Sequence, residues 1–201
     1  MGVDIVVHST TKYISGHSDS LGGCASLGNT DGAQAIREKF RIIHQVGGGV
    51  MSPFDAWLAM RGLRTLHVRM KQHCENAMIL AEYLAGHKRV QKVHYPGLVS
   101  HPQNKLAAAQ MNGLYGGMLS FEVKGSEANA EKNALHVVRN VRLFRKATSL
   151  GGTESLIEHR ATVEGKYGLS PKSLLRVSVG LENVGDLLTD LDIALNSITE
   201  Q

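Results

Sequence analysis

The chain has 201 residues, 42% of them apolar, with a formal net charge of +4 and an isoelectric point near 9.1. That is room for one ordinary domain or parts of two, with enough apolar side chains to build a core and to exclude bulk disorder. Lysines and arginines are scattered among acids and aromatics are few, so no nucleic-acid partner is expected, and no apolar run is long enough to span a membrane.

Val3 to Val7 reads as a short, buried, β-branched strand that runs into Ser9-Thr10-Thr11-Lys12 and then a glycine-punctuated stretch, Gly16 to Gly28. A buried strand needs neighbours on both sides and nothing precedes this one, so the chain is expected to start inside a domain. Ser52-Pro53-Phe54-Asp55 predicts a helix start: Ser52 caps, Pro53 suits the first helical position and Asp55 favours the positive end. After Gly62, the residues Leu63, Leu66, Met70, Cys74, Ala77, Ala81 and Leu84 recur every three or four positions, which predicts one long amphipathic helix ending at Gly86. Gly117 to Val123 alternates, with Leu119, Phe121 and Val123 on one face, and predicts a half-buried strand. Ser126 is a candidate cap for a helix running toward Val138. Leu175 to Val179 alternates again, with Arg176 and Ser178 on the less apolar side, and Val184 to Ile198 predicts a last amphipathic helix.

Cys24 and Cys74 fit no metal or disulfide spacing and suit a reducing cytosol, each as a small buried hydrophobe. The ten histidines form no H-E-x-x-H pattern, so no metal site is expected. Asp4 interrupts the only apolar stretch near the N-terminus and no cleavage motif follows, so no secretory leader is expected and the location is read as cytoplasmic.

Ser9-Thr10-Thr11-Lys12 has two chemical meanings. It is an S-x-x-K, in which a serine nucleophile works beside a lysine base, although no K-T-G or S-D-N follows. It is also a pair of short hydroxyls before a lysine at a strand end. The hydroxyls can donate to a phosphate while the amine condenses with an aldehyde cofactor.

The run His8-Ser9-Thr10-Thr11-Lys12-Tyr13-Ile14-Ser15-Gly16-His17-Ser18-Asp19 resembles the cofactor-attachment segment of the Cys/Met metabolism (transsulfuration) enzymes, which depend on pyridoxal 5′-phosphate (PLP) and include cystathionine γ-synthase, cystathionine γ-lyase, cystathionine β-lyase and methionine γ-lyase. Ser52 to Trp57, Arg61 to Leu66, Tyr95 to Leu98, Ser149 to Gly152, Glu154 to Leu156 and Leu175 to Glu182 resemble further family segments in the family's order. The resemblance implies that Lys12 carries PLP covalently and, once freed as an amine, moves protons at the substrate's α-carbon. It implies that Ser9 and Thr11 hold the cofactor phosphate, that Arg176 grips the substrate α-carboxylate and that Ser149 lies beside it. A planar fork suits that carboxylate better than an ammonium does. Thr148 stands at a position that differs between members favouring β- and γ-chemistry and does not decide between them.

The implied architecture is α/β, the aspartate aminotransferase-like fold of PLP-dependent transferases. Residues 1–60 would be the truncated end of the PLP-binding large domain, and residues 61–201 a linking helix and a small C-terminal α+β domain. Family members carry a region before the lysine strand that supplies a glycine-rich phosphate loop, a ring-stacking tyrosine and the aspartate that pairs with the pyridine nitrogen. The chain is therefore expected to be a truncated form. The expected activity is carbon–sulfur chemistry at the γ-carbon of cystathionine or an O-acylhomoserine, a small-molecule amino acid, in a homo-oligomer that the family builds as a tetramer. The alternatives are a non-catalytic fragment that only associates with full-length subunits and, more distantly, an S-x-x-K serine hydrolase.

Overall fold

A computed structural model describes residues 3–126 and 128–199. The chain divides into two compact units, Met1–Leu66 and His67–Gln201.

In the first unit, β1 (Ile5–Ser9) and β2 (Gly23–Leu27) form an antiparallel pair, with Ile5 opposite Leu27 and Ser9 opposite Gly23. Between them the backbone makes a wide turn over Thr10–Ile14, closed by the Ser15 N–H on the Thr10 carbonyl at 3.0 Å and broken at Lys12, whose φ/ψ of −91°/−133° is not helical. The strand begins two residues later than Val3, and its valines are exposed rather than buried: Val7 is 73% accessible. Among the described residues only β2 pairs with it, and Val6 to Ser9 are exposed. Cys24, on β2, is likewise exposed and not the buried hydrophobe expected. A helix with no counterpart among the sequence predictions follows, α1 (Asp31–Gly47), in which the Thr30 hydroxyl accepts from Ala33 N–H and Gly48 closes the end at φ 69°. Next comes α2 (Pro53–Leu63), started as predicted by Ser52, whose hydroxyl accepts from Asp55 N–H at 3.1 Å.

The long helix is α3 (Leu66–Gly86), separate from α2. The predicted run from Leu63 is interrupted because the Thr65 N–H bonds the Gly62 carbonyl, three residues back, and ends the first helix. The second unit then builds a five-stranded sheet in the order β3 (Val90–His94), β4 (Met118–Val123), β7 (Leu174–Ser178), β6 (Leu156–His159), β5 (Arg145–Lys146). All of its neighbours are antiparallel except the β5–β6 pair. Helices α4 (Asn104–Met111), α5 (Ala130–Asn140), α6 (Arg160–Glu164) and α7 (Val184–Asn196) lie between or after the strands. The helix expected from Ser126 begins at Ala130 instead. The Ser126 carbonyl, not its hydroxyl, accepts from Asn129 and Ala130 N–H.

The core follows the two predicted alternations. Leu119, Phe121 and Val123 of β4, and Leu175, Val177 and Val179 of and just after β7, are buried. They join a single apolar cluster with Ala77, Leu80, Ala81 and Leu84 of α3, Ala134 and Val137 of α5, and Leu187, Leu191 and Leu195 of α7. Deleting a ring such as Phe121 from this cluster is expected to cost about 3–5 kcal/mol. Tyr95 and Gly97 belong to the same packing. Tyr95 is fully buried with its hydroxyl donating to the Gly116 carbonyl at 2.9 Å, and a Cβ on Gly97 would come within 2.7 Å of the Tyr95 ring and 2.9 Å of Met78 Sδ. Among the described residues no helix is long and apolar enough to cross a membrane.

Candidate active site

The lysine segment occupies the end of β1. Strand β1 ends at Ser9, and Thr10 to Ile14 belong to the turn, in which Thr10 is turned inward. Ser9 is exposed, Thr11 and Lys12 are half-buried and Thr10 is buried. Backbone and side chains tie this end to Gly22. The Thr10 N–H donates to the Gly22 carbonyl at 2.9 Å, the Gly22 N–H donates to Thr11 Oγ1 at 3.0 Å, and the Thr11 hydroxyl returns a longer bond to the Gly22 carbonyl at 3.3 Å. The approach is close enough that a Cβ on Gly22 would lie 2.8 Å from Thr10 Oγ1 and 2.2 Å from Met51 Cε, so a side chain there requires Met51 and Thr10 to shift. Beyond the lysine, Ser15 and Ser20 share a buried hydroxyl pair at 2.9 Å and His17 Nδ1 bonds the Ser15 carbonyl at 2.6 Å. The turn is therefore held from both ends around Lys12. Wide, i→i+5 turns of this kind mark functional positions often enough that the geometry itself draws attention to the lysine.

The same segment passes a chemical test for PLP. Hydroxyls at Ser9 and Thr11 and an amine at Lys12, on one strand end, are the donor set a phosphate and an aldehyde require. Thr10 Oγ1 is buried and makes no hydrogen bond among the described residues, so this end carries polar capacity that its own fold does not use.

Arg176 and Ser149 lie in the other unit. Arg176 is the middle residue of β7, on the side opposite Val177, with Ser120 of β4 and Glu158 of β6 directly across from it. Its guanidinium is partly accessible and its Nη1 donates to Glu158 Oε1 at 3.0 Å. Ser149 is exposed on the connection from β5 to β6 and holds a φ of 95°, a left-handed conformation rare for a residue with a side chain. Two residues on, the Gly151 N–H donates to Ser178 Oγ at 3.1 Å, which fastens the Ser149 loop to the strand of Arg176.

The stretch after β7 is clamped from three directions. His73 of α3 donates from Nδ1 to the Val179 carbonyl at 2.7 Å, and Asn76 donates to the carbonyls of Gly180 and Glu182 at 3.0 and 3.1 Å. Burial holds the His73 imidazole below its usual range against that hydrogen bond, which keeps the ring neutral. Glu182 accepts from the Ser155 N–H at 2.6 Å and the Ser155 hydroxyl at 2.8 Å. A Cβ on Gly180 would strike the Thr153 carbonyl at 2.4 Å. The family-like Glu154-Ser155-Leu156 and Val177 to Glu182 segments are thus two halves of one lock that fixes the end of the arginine's strand.

Sequence reasoning missed two contributors. Gly62 sits in α2 where a Cβ would meet the carbonyls of Ser15 and Ile14 at 2.3 and 2.6 Å, so the helix rests on the backbone just past the lysine turn. A glycine inside a helical pattern is the signal that could have revealed it. Glu158 carries no such signal, because only the β6–β7 register brings it to Arg176.

The family described as Cys/Met metabolism PLP-dependent enzyme matches residues 1–196. Among curated proteins, the chain is 47% identical to a cystathionine gamma-synthase of Mycobacterium leprae over 98% of the chain and 50% of that protein. It is 43% identical to a cystathionine beta-lyase of Coxiella burnetii over 97% of the chain and 50% of the relative, and 43% identical to an L-methionine gamma-lyase of Pseudomonas putida over 98% and 50%. Its structure superposes with a TM-score of 0.88 on the crystal structure of metB from Corynebacterium glutamicum, at 42% identity, over 97% of the chain and 50% of that protein. The chain spans about half the length of the relatives it matches.

Proposed function

The chain belongs to the Cys/Met metabolism PLP-dependent enzyme family, and from that premise we propose that it is the lysine-bearing part of an enzyme that makes or breaks a carbon–sulfur bond at the γ-carbon of an amino acid, with cystathionine or an O-acylated homoserine as substrate. The relatives' names support the reaction class, and they include γ-synthase, β-lyase and γ-lyase alike. On this reading residues 1–60 are the end of the PLP-binding large domain and residues 61–201 the linking helix and small α+β domain. The protein works in the cytosol, where unpaired Cys24 and Cys74 persist, and in a homo-oligomer of the kind the family forms.

The observation that carries the proposal is the widened turn that seats Lys12 just after a strand, close behind the Ser9 and Thr11 hydroxyls and tied at Thr11 to the Gly22 backbone. PLP, when bound, supplies an electron sink for carbanion chemistry. Lys12 holds it through its amine and, when released, carries a proton at the substrate's α-carbon. Ser9 holds the phosphate by donating from its hydroxyl, and Thr11 joins it by turning its hydroxyl proton from the Gly22 carbonyl, to which it makes a 3.3 Å bond, toward the phosphate. Arg176 orients the amino acid by its α-carboxylate, and Ser149, on its strained loop, closes the other side of that carboxylate. Borohydride reduction in the presence of PLP, followed by peptide mapping, is expected to place the pyridoxyl group on Lys12. Label on Lys39, Lys71 or another lysine instead would sink the assignment.

One observation favours a second reading, a non-catalytic chain that associates with full-length subunits. The first unit exposes the large apolar side chains Phe40, Ile43, Val46, Phe54 and Trp57, of the kind that form an interaction surface where they are contiguous. The two readings separate on turnover. Cystathionine cleavage or synthesis by an assembly containing the chain, lost in Lys12→Ala, supports catalysis. Turnover unaffected by Lys12→Ala supports association alone. The serine-hydrolase reading of Ser9 gains nothing from the family match.

A further inference from the structure

Arg176 is held by a chain of partners that begins well away from it. Glu158 faces it across the β6–β7 ladder, and Glu158 Oε1 accepts from Arg176 Nη1 at 3.0 Å. The same oxygen accepts from Arg160 Nη1, also at 3.0 Å. Arg160 is anchored in turn through Nε to Glu164 Oε1 at 2.8 Å, and Glu164 is fixed by the Ser170 N–H and hydroxyl at 3.1 and 2.9 Å. The shared acid is the most buried charged member of this chain. The Glu158 side chain is 5% accessible, against 33% for Arg160 and 25% for Arg176. The second carboxylate oxygen, Oε2, is buried and accepts no hydrogen bond among the described residues.

This is an unusual way to use a buried carboxylate. The strongest pairing of an arginine with an acid is a fork, two parallel N–H bonds to two oxygens. Glu158 instead spends one oxygen on two guanidiniums and leaves the other bare, and it takes a single N–H from Arg176. An ion pair selected only to stabilise the sheet would use both oxygens, since a bare buried acceptor is a cost. The arrangement makes sense if Arg176 must be held at one nitrogen while its other N–H groups stay committed to something else.

We propose that Glu158, seated by Arg160, is the positioning residue for Arg176. It fixes the rotation of the guanidinium from the strand side and leaves the remaining edge to take a substrate carboxylate in a fork. The proposal deepens the carboxylate role given above to Arg176 and rests on it.

The test is side-chain nitrogen NMR on the full 201-residue chain labelled with ¹⁵N-arginine, with the Arg176 signal assigned by its loss in Arg176→Lys. In wild type the Arg176 guanidinium N–H groups are expected to exchange slowly with water. In Glu158→Gln, which keeps the volume and removes the charge, that exchange should rise by about tenfold or more, and in Arg160→Lys, which leaves Glu158 charged but less firmly seated, by a smaller factor. Global secondary structure, read by circular dichroism, should not move. If Glu158→Gln does not fold, Arg160→Lys decides alone. Exchange at Arg176 unchanged in the folded variant would overturn the proposal. Titration with acetate, followed at the same signal, separates the two layers. Equal apparent Kd in wild type and Glu158→Gln would overturn the positioning role while leaving the carboxylate role standing. No response to acetate in wild type, together with faster exchange in the variant, would uphold the positioning and count against the carboxylate role.

Discussion

Gly62 of α2 lies against the carbonyl oxygens of Ile14 and Ser15, close enough that a methyl group there would stand 2.3 Å from the Ser15 oxygen. The obstacle is backbone on both sides, so neither partner can swing away as a side chain would. Gly62→Ala should push the helix off the loop that follows Lys12 and destabilise the first unit by about 1–3 kcal/mol. Hydrogen exchange over residues 10–16 is expected to rise and borohydride-trapped PLP on Lys12 to fall, with the second unit unchanged. Exchange identical to wild type over residues 10–16 would show that the contact gives way freely.

Arg176→Ala should weaken transition-state binding in a holoenzyme containing this chain by about 2–4 kcal/mol, read as kcat/KM, because a charge-assisted carboxylate contact is lost. Arg176→Lys should recover only a minor part, since an ammonium cannot form the fork. PLP attachment at Lys12 should persist in both variants. An unchanged kcat/KM in Arg176→Ala would make this residue a structural partner of Glu158 and nothing more.

The alternating strands were legible because one face of each is fully covered, so Leu119, Phe121 and Val123, and Leu175, Val177 and Val179, leave a period of two that burial then honours. The strand before Lys12 misled because β-branched residues imply burial only when a sheet covers them, and Val6 and Val7 are exposed. Helix α1 was overlooked although its signal is present, since Ala33, Ile36, Phe40, Ile43 and Val46 recur every three or four positions after the Thr30 cap. At the candidate site the local segment around Lys12 was readable from residue types alone. The supports from Gly62 and Glu158 were not, because each depends on which distant backbone or strand arrives beside it. Asp190 shows the same limit. Among the leucines of α7 it reads as a solvent-facing acid, yet it is buried beneath a loop.

That aspartate accepts from the backbone N–H groups of Arg142 and Leu143, at 2.9 and 2.8 Å, and more distantly from Phe144. It thereby fixes the chain as it leaves α5 for β5 and the Ser149 loop. Asp190→Ala would strand these donors under cover and should cost about 2–3 kcal/mol in urea unfolding. Asp190→Asn, with one acceptor oxygen left, should cost less. A loss below about 0.5 kcal/mol in the alanine variant would mean that water replaces the carboxylate.

Tyr83 and Asp192 give the stability a defined pH window. The Tyr83 hydroxyl donates to Asp192 Oδ1, which also lies 3.3 Å from His87 Nε2. Burial and that hydrogen bond push the Tyr83 hydroxyl up to about 12, while the same bond, with His87, holds the Asp192 carboxyl below its usual range. A raised acid contributes stability below its unfolded pKa, about 10 for tyrosine, and loses it as pH rises through the folded value. A depressed carboxyl contributes above its unfolded pKa, about 4, and loses its share as pH falls through the folded value. The advantage of wild type over Tyr83→Phe should therefore be flat between about pH 4 and 10 and shrink on either side. Urea midpoints across that range check it, and an advantage that varies steadily between pH 5 and 9 would contradict it.

Ser149 offers the sharpest separation of stability from function. Its φ of 95° is easy for glycine and strained for any residue with a Cβ, a cost on the order of 1 kcal/mol, and the loop is nevertheless pinned in place by the Gly151 bond to Ser178. A serine kept there at that cost is consistent with work done by its hydroxyl. Ser149→Gly should raise the unfolding free energy by about 0.5–1 kcal/mol and, in a holoenzyme containing this chain, lower affinity for the amino-acid substrate by about tenfold, as expected for one lost hydrogen bond to a charged group. Ser149→Ala should lose the same affinity without the gain in stability, because it keeps the Cβ and the strain. Thermal unfolding and KM measured on both variants give the answer. If Ser149→Gly is stabilised and binds substrate as well as wild type, the hydroxyl has no part in holding the carboxylate, and the backbone alone accounts for the shape of the loop.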